Sequence, residues 1–442
     1  MLIGPALRLA PAIAARTAFY LRSQRWSVPE LARYQDRMLR RLIRHAAAHV
    51  PYYRNLFRAI GLDPATFRGR ADLHRIPLLD KETLRTRPDE FAADNAAAFH
   101  PVAWKTSGST GTPLRFLLSA ASRINDAAVT LRAYQWAGFL PGMKILTVKG
   151  FLRDWETRYS MAGRSLNFDS VQMSPESAAR LWRRVNRMKP AFFHGYPLSL
   201  ILLSKLAREA GIAYHRPQTI ICFGESLTDT IRGQLRAAYG NVQIFDFYGM
   251  TENAALITEC GYGTRHVVDD YVYHEFVGDG NRVITEGKGE IVGTGYYNYA
   301  MPMIRYRTRD YVRLKPVPWG CVCGRPFRTV ETIEGRKEDY ICTPDGRTVN
   351  LVEGAVGDGV GIVTSQYVQD LPDHMYVNIV PGPDFQPESL KDVEKGLRAR
   401  VGPAIRIDFR VVNELERRPG ESGKTPFLIS KIGSALYTGR EF

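Results

Sequence analysis

The sequence predicts an α/β protein. A large, multi-subdomain N-terminal domain with mixed, largely parallel sheets covered by helices precedes a small, mobile α+β C-terminal domain. Three observations predict it. At 442 residues the chain is too long for one compact core of ordinary size. Beyond residue 140, short apolar runs (MKILTV, PAFFHGY, QTIICFGES, NVQIFDFYGMTE) alternate with helical stretches such as SPESAARLWRRVNRM and LSLILLSKLAREAG. After IEGRKEDY at 333–340 the composition loosens, and TPDGRTVN has the character of a hairpin turn opening a new unit. The predicted boundary therefore lies near Gly335, with domains 1–335 and 336–442.

The first 24 residues carry arginine but no acidic residue. Pro5, Arg8, Pro11 and Arg16 interrupt the run, which is too broken for a membrane span or the core of a cleaved signal. A structural helix or, at most, a weak membrane-surface contact is expected. Residues 30–60 place apolar side chains at helical spacing with arginines on the other face, and stop at GLDP. Ser174 followed by Pro175 is a helix start, a side-chain cap with proline in the first turn. In the alternating region, ligands are expected outside the carboxyl ends of the strands, where HGYP, GES and YGMTE fall. Residues 282–315 change to β-like segments with Gly-rich turns. The last hundred or so residues, with QYVQDLPDHMYVNIV, ESLKDVEKGLRARVG and IRIDFRVV, form the small domain.

Hydrophobic residues at 45%, charged at 24% and aromatic at 11% are those of a folded globular protein. Sixty Lys and Arg against 45 Asp and Glu give +15, which favours phosphates, nucleic acid or an acidic membrane surface. Arginine is dispersed, with no basic tail and no zinc-finger or RNA-recognition signature, so dedicated nucleic-acid binding is not expected. Five cysteines, an odd number in a long chain, fit a reducing cytoplasm better than a disulfide framework.

The stretch WKTSGSTGTP at 104–113 gathers Thr106, Ser107, Gly108, Ser109, Thr110 and Gly111. Such a loop holds phosphate when successive backbone N–H groups converge, hydroxyls add donors and glycine permits close approach. It lacks the Gly-Lys-Ser/Thr ending of the nucleotide P-loop, which excludes a kinase or GTPase. By composition alone it is equally a loose surface loop.

Together with later motifs, this loop resembles the signature of the adenylate-forming enzymes: acyl-coenzyme A synthetases, nonribosomal peptide adenylation domains and luciferases. TSGSTGTP at 106–113 is similar to the phosphate loop, FGES at 223–226 to the adenine-side loop, and FYGMTEN at 247–253 to the Tyr-Gly-x-Thr-Glu motif. YRTRD at 306–310 is similar to the ribose motif, EGRKED at 334–339 to the hinge, and RPGESGK at 418–424 to the segment with the catalytic lysine. HVPYYRNLF and YQWAGFLPG, and the absence of Lys after Pro113, resemble the shorter phenylacetate-coenzyme A ligase-like branch.

The resemblance implies two half-reactions. A carboxylate attacks the α-phosphate of ATP to give an acyl-adenylate and pyrophosphate, and an acceptor then displaces AMP. It implies that residues 106–111 hold the β- and γ-phosphates, and that Gly224, Glu225, Ser226, Tyr248 and Gly249 frame adenine. Thr251 would bind the α-phosphate, Glu252 Mg²⁺, Asp310 the ribose hydroxyls, and Arg336 the ribose and phosphates. Lys424 would reach the carboxylate and α-phosphate. Glu338 and Asp339 both stand where the hinge pivot is expected, and Arg309 stands where many relatives have Gly. Taken singly, these residues could equally be a core aromatic, a turn cap and solvated charges.

Cys260 and His266, with five residues between them in ECGYGTRH, and Cys321 and Cys323 in GCVCGRP have the spacing of a closed, structural zinc site. The alternative is ordinary buried thiols and a solvated histidine; Cys222 and Cys342 read as ordinary buried cysteines. Tyr134, Trp136, His194 and Tyr196 are candidates for an aromatic acyl pocket suited to an aryl or arylacetic acid, and equally for core packing.

The expected acceptor is coenzyme A. An amine or hydroxyl acceptor, as in natural-product or polysaccharide biosynthesis, is the alternative within the enzyme class, and a non-catalytic nucleotide-binding descendant the alternative outside it. Oligomeric state stays open, a homodimer included.

Overall fold

A computed structural model describes residues 3–105, 114–149, 159–160, 163–170, 173–315, 320–336, 340–344, 348–350, 361–382, 384–416 and 428–432. Two compact units emerge, one of residues 1–140 with 247–333, the other of 141–246 with 334–442.

The first unit begins with α1 (Ile3–Ser23), α2 (Val28–His49) and α3 (Pro51–Ala59). Ser27 caps α2 in a capping box with Glu30, so two otherwise orphaned N–H groups are satisfied. Leu31, Tyr34, Met38, Leu39, Leu42, Ile43 and Ala46 of α2 are buried, and its arginines take the opposite face. Short helices α4 (Arg70–Leu73), α5 (Lys81–Thr86) and α6 (Pro88–Phe91) follow. Strands β1 (Val102–Lys105) and β2 (Arg115–Leu118) pair antiparallel, and α7 (Ala120–Trp136) packs on α1.

In the second unit, β3 (Ile145–Lys149), β4 (Tyr159–Ser160), β5 (Gly163–Asp169), β6 (Phe192–Gly195) and β7 (Thr219–Phe223) lie in the order β7-β6-β3-β5-β4. β7, β6, β3 and β5 are parallel, and β4 is antiparallel to β5. The connecting helices α8 (Pro175–Met188), α9 (Pro197–Glu209) and α10 (Asp229–Tyr239) bury apolar faces against this sheet. Ser174 caps α8, accepting from Ser177 N with Pro175 in the first turn. Trp182 is fully buried, its indole N–H donating to the Leu203 carbonyl at 3.0 Å.

The chain passes back to the first unit along β8 (Gln243–Gly249). Strands β9 (Leu256–Glu259), β10 (Arg265–Val267), β11 (Val272–Val277), β12 (Gly287–Gly295), β13 (Tyr306–Leu314) and β14 (Thr329–Arg336) follow, in the order β11-β12-β13-β14-β10-β9-β8. Here β8 with β9, β9 with β10, β10 with β14, β11 with β12 and β12 with β13 pair antiparallel, so the parallel sheet expected from βαβ alternation occupies 145–223.

From β14 on, the second unit adds β15 (Tyr340–Cys342) and β16 (Thr348–Asn350), an antiparallel pair. A four-stranded sheet follows in the order β19-β18-β17-β20, made of β17 (Ile362–Leu371), β18 (His374–Pro381), β19 (Arg406–Val411) and β20 (Leu428–Ser430). Helix α11 (Leu390–Val401) covers it with Val393, Leu397 and Val401. Among the described residues, no helix is long and apolar enough to cross a membrane.

Two adjacent carboxylates tie the first unit together. Asp270 receives the Arg132 guanidinium of α7 through both oxygens, at 2.5 and 3.1 Å, and both side chains are fully buried. Ser23 of α1 donates to the same carboxylate. Asp269 takes Arg328 at 2.7 and 2.8 Å and the His274 ring at 3.2 Å. Burial raises the Asp269 pKa, but Arg328 and His274 outweigh it and hold the carboxyl at about 2. Removing one partner of a buried pair leaves a desolvated, uncompensated charge. Asp270→Ala is therefore expected to lower stability by about 3–5 kcal/mol, read from the denaturant midpoint, because Arg132 loses its counter-ion.

Candidate active site

Beta-strand β8 ends in Tyr248 and Gly249, paired with Ile257 and Leu256 of β9. Tyr248 is half-buried, and its hydroxyl donates to Asp310 Oδ2 at 2.6 Å. Asp310 lies on β13 within a bulge: between Glu290↔Tyr311 and Val292↔Arg307, four steps along β13 match two along β12. A bulge re-aims side chains. Within it Arg309 has φ 63°, the left-handed region in which glycine carries no penalty. Glu290 holds the bulge, accepting from Arg309 N at 3.0 Å and from the Arg307 guanidinium at 2.5 and 2.9 Å. Asp310 N donates to Thr308 Oγ1 at 3.0 Å.

Past Gly249 the chain turns sharply, with Asn253 N donating to Met250 O at 3.0 Å and Asn253 at φ 57°. Thr251 is exposed at this turn, whereas Glu252 and Asn253 are buried. Tyr306 of β13 donates to Glu252 Oε1 at 3.4 Å, and Asn253 Nδ2 donates to Ser122 Oγ at 3.0 Å. β13 thus brings Tyr248, Glu252 and Asp310 together. A small pocket beside Glu252 is lined also by Ser122, Tyr271, Tyr297, Asn298 and Met303. Sequence reasoning missed this lining. Its members come from α7 and from segments flanking β11 and β12 with no shared motif; only Asn253, adjoining Glu252 in FYGMTEN, was signalled.

In the second unit, Gly224, Glu225 and Ser226 follow the carboxyl end of β7, with Gly224 at φ 75°. Glu225 Oε2 accepts from Leu198 N at 3.2 Å, in the first turn of α9, where the helix dipole favours a carboxylate. The His194 ring stacks on Phe223 with centroids 4.1 Å apart, and Tyr196 leans on the same ring at 5.2 Å. Burial, with the nearby Lys149 charge adding to it, lowers the His194 pKa to about 3, so the imidazole is neutral at physiological pH. Cys222 is buried in the core behind this loop.

Of the other acyl-pocket candidates, Tyr134 packs edge-on to Phe139 and Phe247. Trp136 stands instead at the Cys/His cluster. It meets the His266 ring edge-on at 5.8 Å, stacks with Phe327, and donates its indole N–H to Gln24 Oε1 at 2.6 Å. Residues 106–111, Glu338, Asp339 and Lys424, and the side chain of Arg336, lie outside the described residues.

Cys260, His266, Cys321 and Cys323 converge, with their ligand atoms all within 4.8 Å of one another. Cys260 Sγ is 3.7 Å from Cys321 Sγ, and Cys323 Sγ is 3.3 Å from His266 Nε2. A tetrahedron with Zn–S of about 2.3 Å and Zn–N of about 2.0 Å has edges of roughly 3.5–3.8 Å, so the donors fit zinc. Burial, then the Arg325 charge, lowers the His266 pKa to about 4, which leaves a neutral imidazole able to coordinate. Two turns deliver the ligands: Cys260 N to Thr264 O at 3.0 Å, and Gly324 N to Cys321 O at 3.0 Å with Gly324 at φ 70°. Leu31, Trp136 and Phe327 enclose the cluster in apolar surface.

The family model described as AMP-binding enzyme matches residues 72–291, and that of the CapK C-terminal domain matches 341–431. The phenylacetate-coenzyme A ligase of Escherichia coli (strain K12) is 29% identical over 329 residues, 71% of this chain and 73% of that one. Protein CapK of Staphylococcus aureus is 24% identical over 378 residues, 82% of this chain and 81% of that one. A crystal structure of 2-hydroxyisobutyryl-CoA ligase in the postadenylation state matches with a TM-score of 0.73 at 19% identity, covering 92% of this chain and 91% of that one, and so shares the fold. The chain belongs to the adenylate-forming superfamily, in its phenylacetate-coenzyme A ligase-like branch. It is an AMP-forming acid ligase.

The segment after Glu252 is pressed against β12. A Cβ added at Gly293 would lie 1.6 Å from the Ala254 carbonyl oxygen, a clash with backbone that no rotamer relieves. Gly293→Ala is expected to cost at least about 3 kcal/mol, seen as a lowered unfolding midpoint, or to prevent soluble expression.

Proposed function

We propose that this ligase activates an aryl or arylacetic acid with ATP and passes the acyl group to coenzyme A. The observation that carries the reading is β13 presenting Asp310 to Tyr248 and Tyr306 to Glu252, which gathers three motif residues at one place. In the first step a carboxylate oxygen bonds to the α-phosphorus and the bond to pyrophosphate breaks. In the second the thiol sulfur bonds to the acyl carbon and AMP leaves.

Tyr248 would stack on adenine, with the loop 224–226 and Gly249 framing its edge. Asp310 would accept hydrogen bonds from the ribose hydroxyls, which compete with the Tyr248 hydroxyl for the same carboxylate. Thr251, exposed at the turn, would donate to the α-phosphate. Residues 106–111 would hold the β- and γ-phosphates through backbone N–H groups and hydroxyls, and Arg336 would approach the ribose and phosphates. Glu252, a hard oxygen donor lining the pocket, fits Mg²⁺, which supplies charge neutralisation to the phosphates when bound. Lys424, in the 336–442 region proposed as a small mobile domain, would meet the negative charge that grows on the α-phosphate oxygens. His194, neutral and stacked on Phe223, would border the acid beside Tyr196.

The second reading keeps the activation step and makes the acceptor an amine or hydroxyl. Pyrophosphate release with a panel of carboxylic acids, with and without coenzyme A and with mass spectrometry of products, decides. A thioester supports the first reading, an amide or ester the second, and no acid-dependent release from any acid overturns both. Glu252→Gln and Lys424→Ala are each expected to lower acid-dependent release by about 100-fold or more while ATP still binds by calorimetry.

Cys260, His266, Cys321 and Cys323 are proposed to hold a structural zinc, since four protein ligands leave no position for water or substrate. One equivalent of zinc is expected in purified protein. Cys321→Ser should reduce it and cost about 3 kcal/mol or more in unfolding. Unchanged stability together with less than about half an equivalent in the parent protein removes the site.

A further inference from the structure

We propose that the exposed face of α2, with the α1–α2 turn, docks the protein on an anionic phospholipid surface. Between residues 22 and 44 there are seven arginines and two acids. Both acids are occupied: Glu30 in its capping box with Ser27, and Asp36 by Arg70 through two hydrogen bonds of 2.9 and 3.2 Å. Arg33, Arg37, Arg41 and Arg44 are exposed and form no ion pair among the described residues. At spacings of four, four and three they fall on one side of α2, a row about 16 Å long. Arg37 and Arg41 lie over the rings of Tyr34 and Tyr299, at 5.6 and 5.5 Å, which orders their stems and leaves the guanidinium groups outside.

Among the described residues no acid forms an ion pair with these four arginines, which leaves the row open to an anionic partner. Two features favour a lipid surface over nucleic acid. At the turn that opens the row, Leu21 and Val28 are 36% and 66% exposed and flank the exposed Arg22 and Arg25. Aliphatic side chains beside arginines suit the boundary between headgroups and acyl chains. Stacking on bases requires exposed aromatic rings. Trp26 and Tyr34 turn their rings onto Phe19 instead, at 5.5 and 5.6 Å. The exposed large aromatics of the described residues, Trp104 and Tyr262, lie on other elements.

Sedimentation of the full chain with vesicles tests this, using phosphatidylcholine alone and phosphatidylcholine with phosphatidylglycerol in equal parts. Binding is expected to the mixed vesicles only, and to weaken as salt rises. Each of Arg33→Gln, Arg37→Gln, Arg41→Gln and Arg44→Gln should lower partitioning about fivefold, and together by over about a hundredfold, with an unchanged unfolding midpoint. Leu21→Ser with Val28→Ser tests the apolar contribution and should weaken binding at constant charge. Equal binding to both vesicles, no binding to either, or a quadruple variant that binds like the parent overturns the proposal. So does tight binding of a polyuridine oligonucleotide with none to vesicles.

Discussion

Two consecutive buried carboxylates, Asp269 and Asp270, hold the first unit in register. Each takes an arginine from a different part of the chain, Arg328 from just before β14 and Arg132 from the C-terminal half of α7. Desolvating two like charges side by side is unfavourable unless each is matched at close range, so the surrounding elements have little freedom to shift. Around this pair the backbone is also used: Gln35 and Tyr296 donate to the Asp269 carbonyl, and Arg132 to that of Tyr20. Helices α1, α2 and α7 and the antiparallel strands therefore meet at one polar knot inside an otherwise apolar core.

That knot braces a pocket some residues away. Tyr271 follows Asp270 directly, and Tyr297 follows Tyr296, and both Tyr271 and Tyr297 line the pocket that contains Glu252. Rigidity at Asp269 and Asp270 is thus passed to the pocket wall over one covalent step. The Cys/His cluster draws on the same framework, since Arg132 lies 5.2 Å from the ring of Trp136 and from that of Phe327, both of which enclose the cluster.

Much of this was legible beforehand where the signal is local. The amphipathic α2, the Ser174 cap and the βαβ alternation depend on periodicity and on single capping residues, and the motif order identified the superfamily. The convergence of Cys260, His266, Cys321 and Cys323 was legible because two of them share a tight turn. What escaped were features made by long-range pairing. The Arg132–Asp270 pair joins residues 138 apart in sequence, with nothing in either neighbourhood to announce it. The antiparallel pairing around β9, β11 and β12 escaped for a related reason: their burial on both faces hides the alternation that distinguishes such strands, which β13 alone shows clearly among these four. Trp136 shows how one aromatic residue in YQWAGF suits either a ligand pocket or the wall of the Cys/His cluster, a choice that composition does not make.

The bulge at Arg309 bears on which substitutions this chain can accept over time. A side chain in the left-handed region costs about 1–2 kcal/mol relative to ordinary backbone, yet the demand at 309 is on conformation, since the contact with Glu290 is made through the main-chain N–H. Position 309 can therefore drift among residues that tolerate positive φ without disturbing Asp310. Glu290 cannot drift in the same way: it is buried, and its carboxylate serves both the Arg309 amide and the Arg307 guanidinium. Variation would accordingly be tolerated within the recognised motif and resisted at an unremarked glutamate on the neighbouring strand.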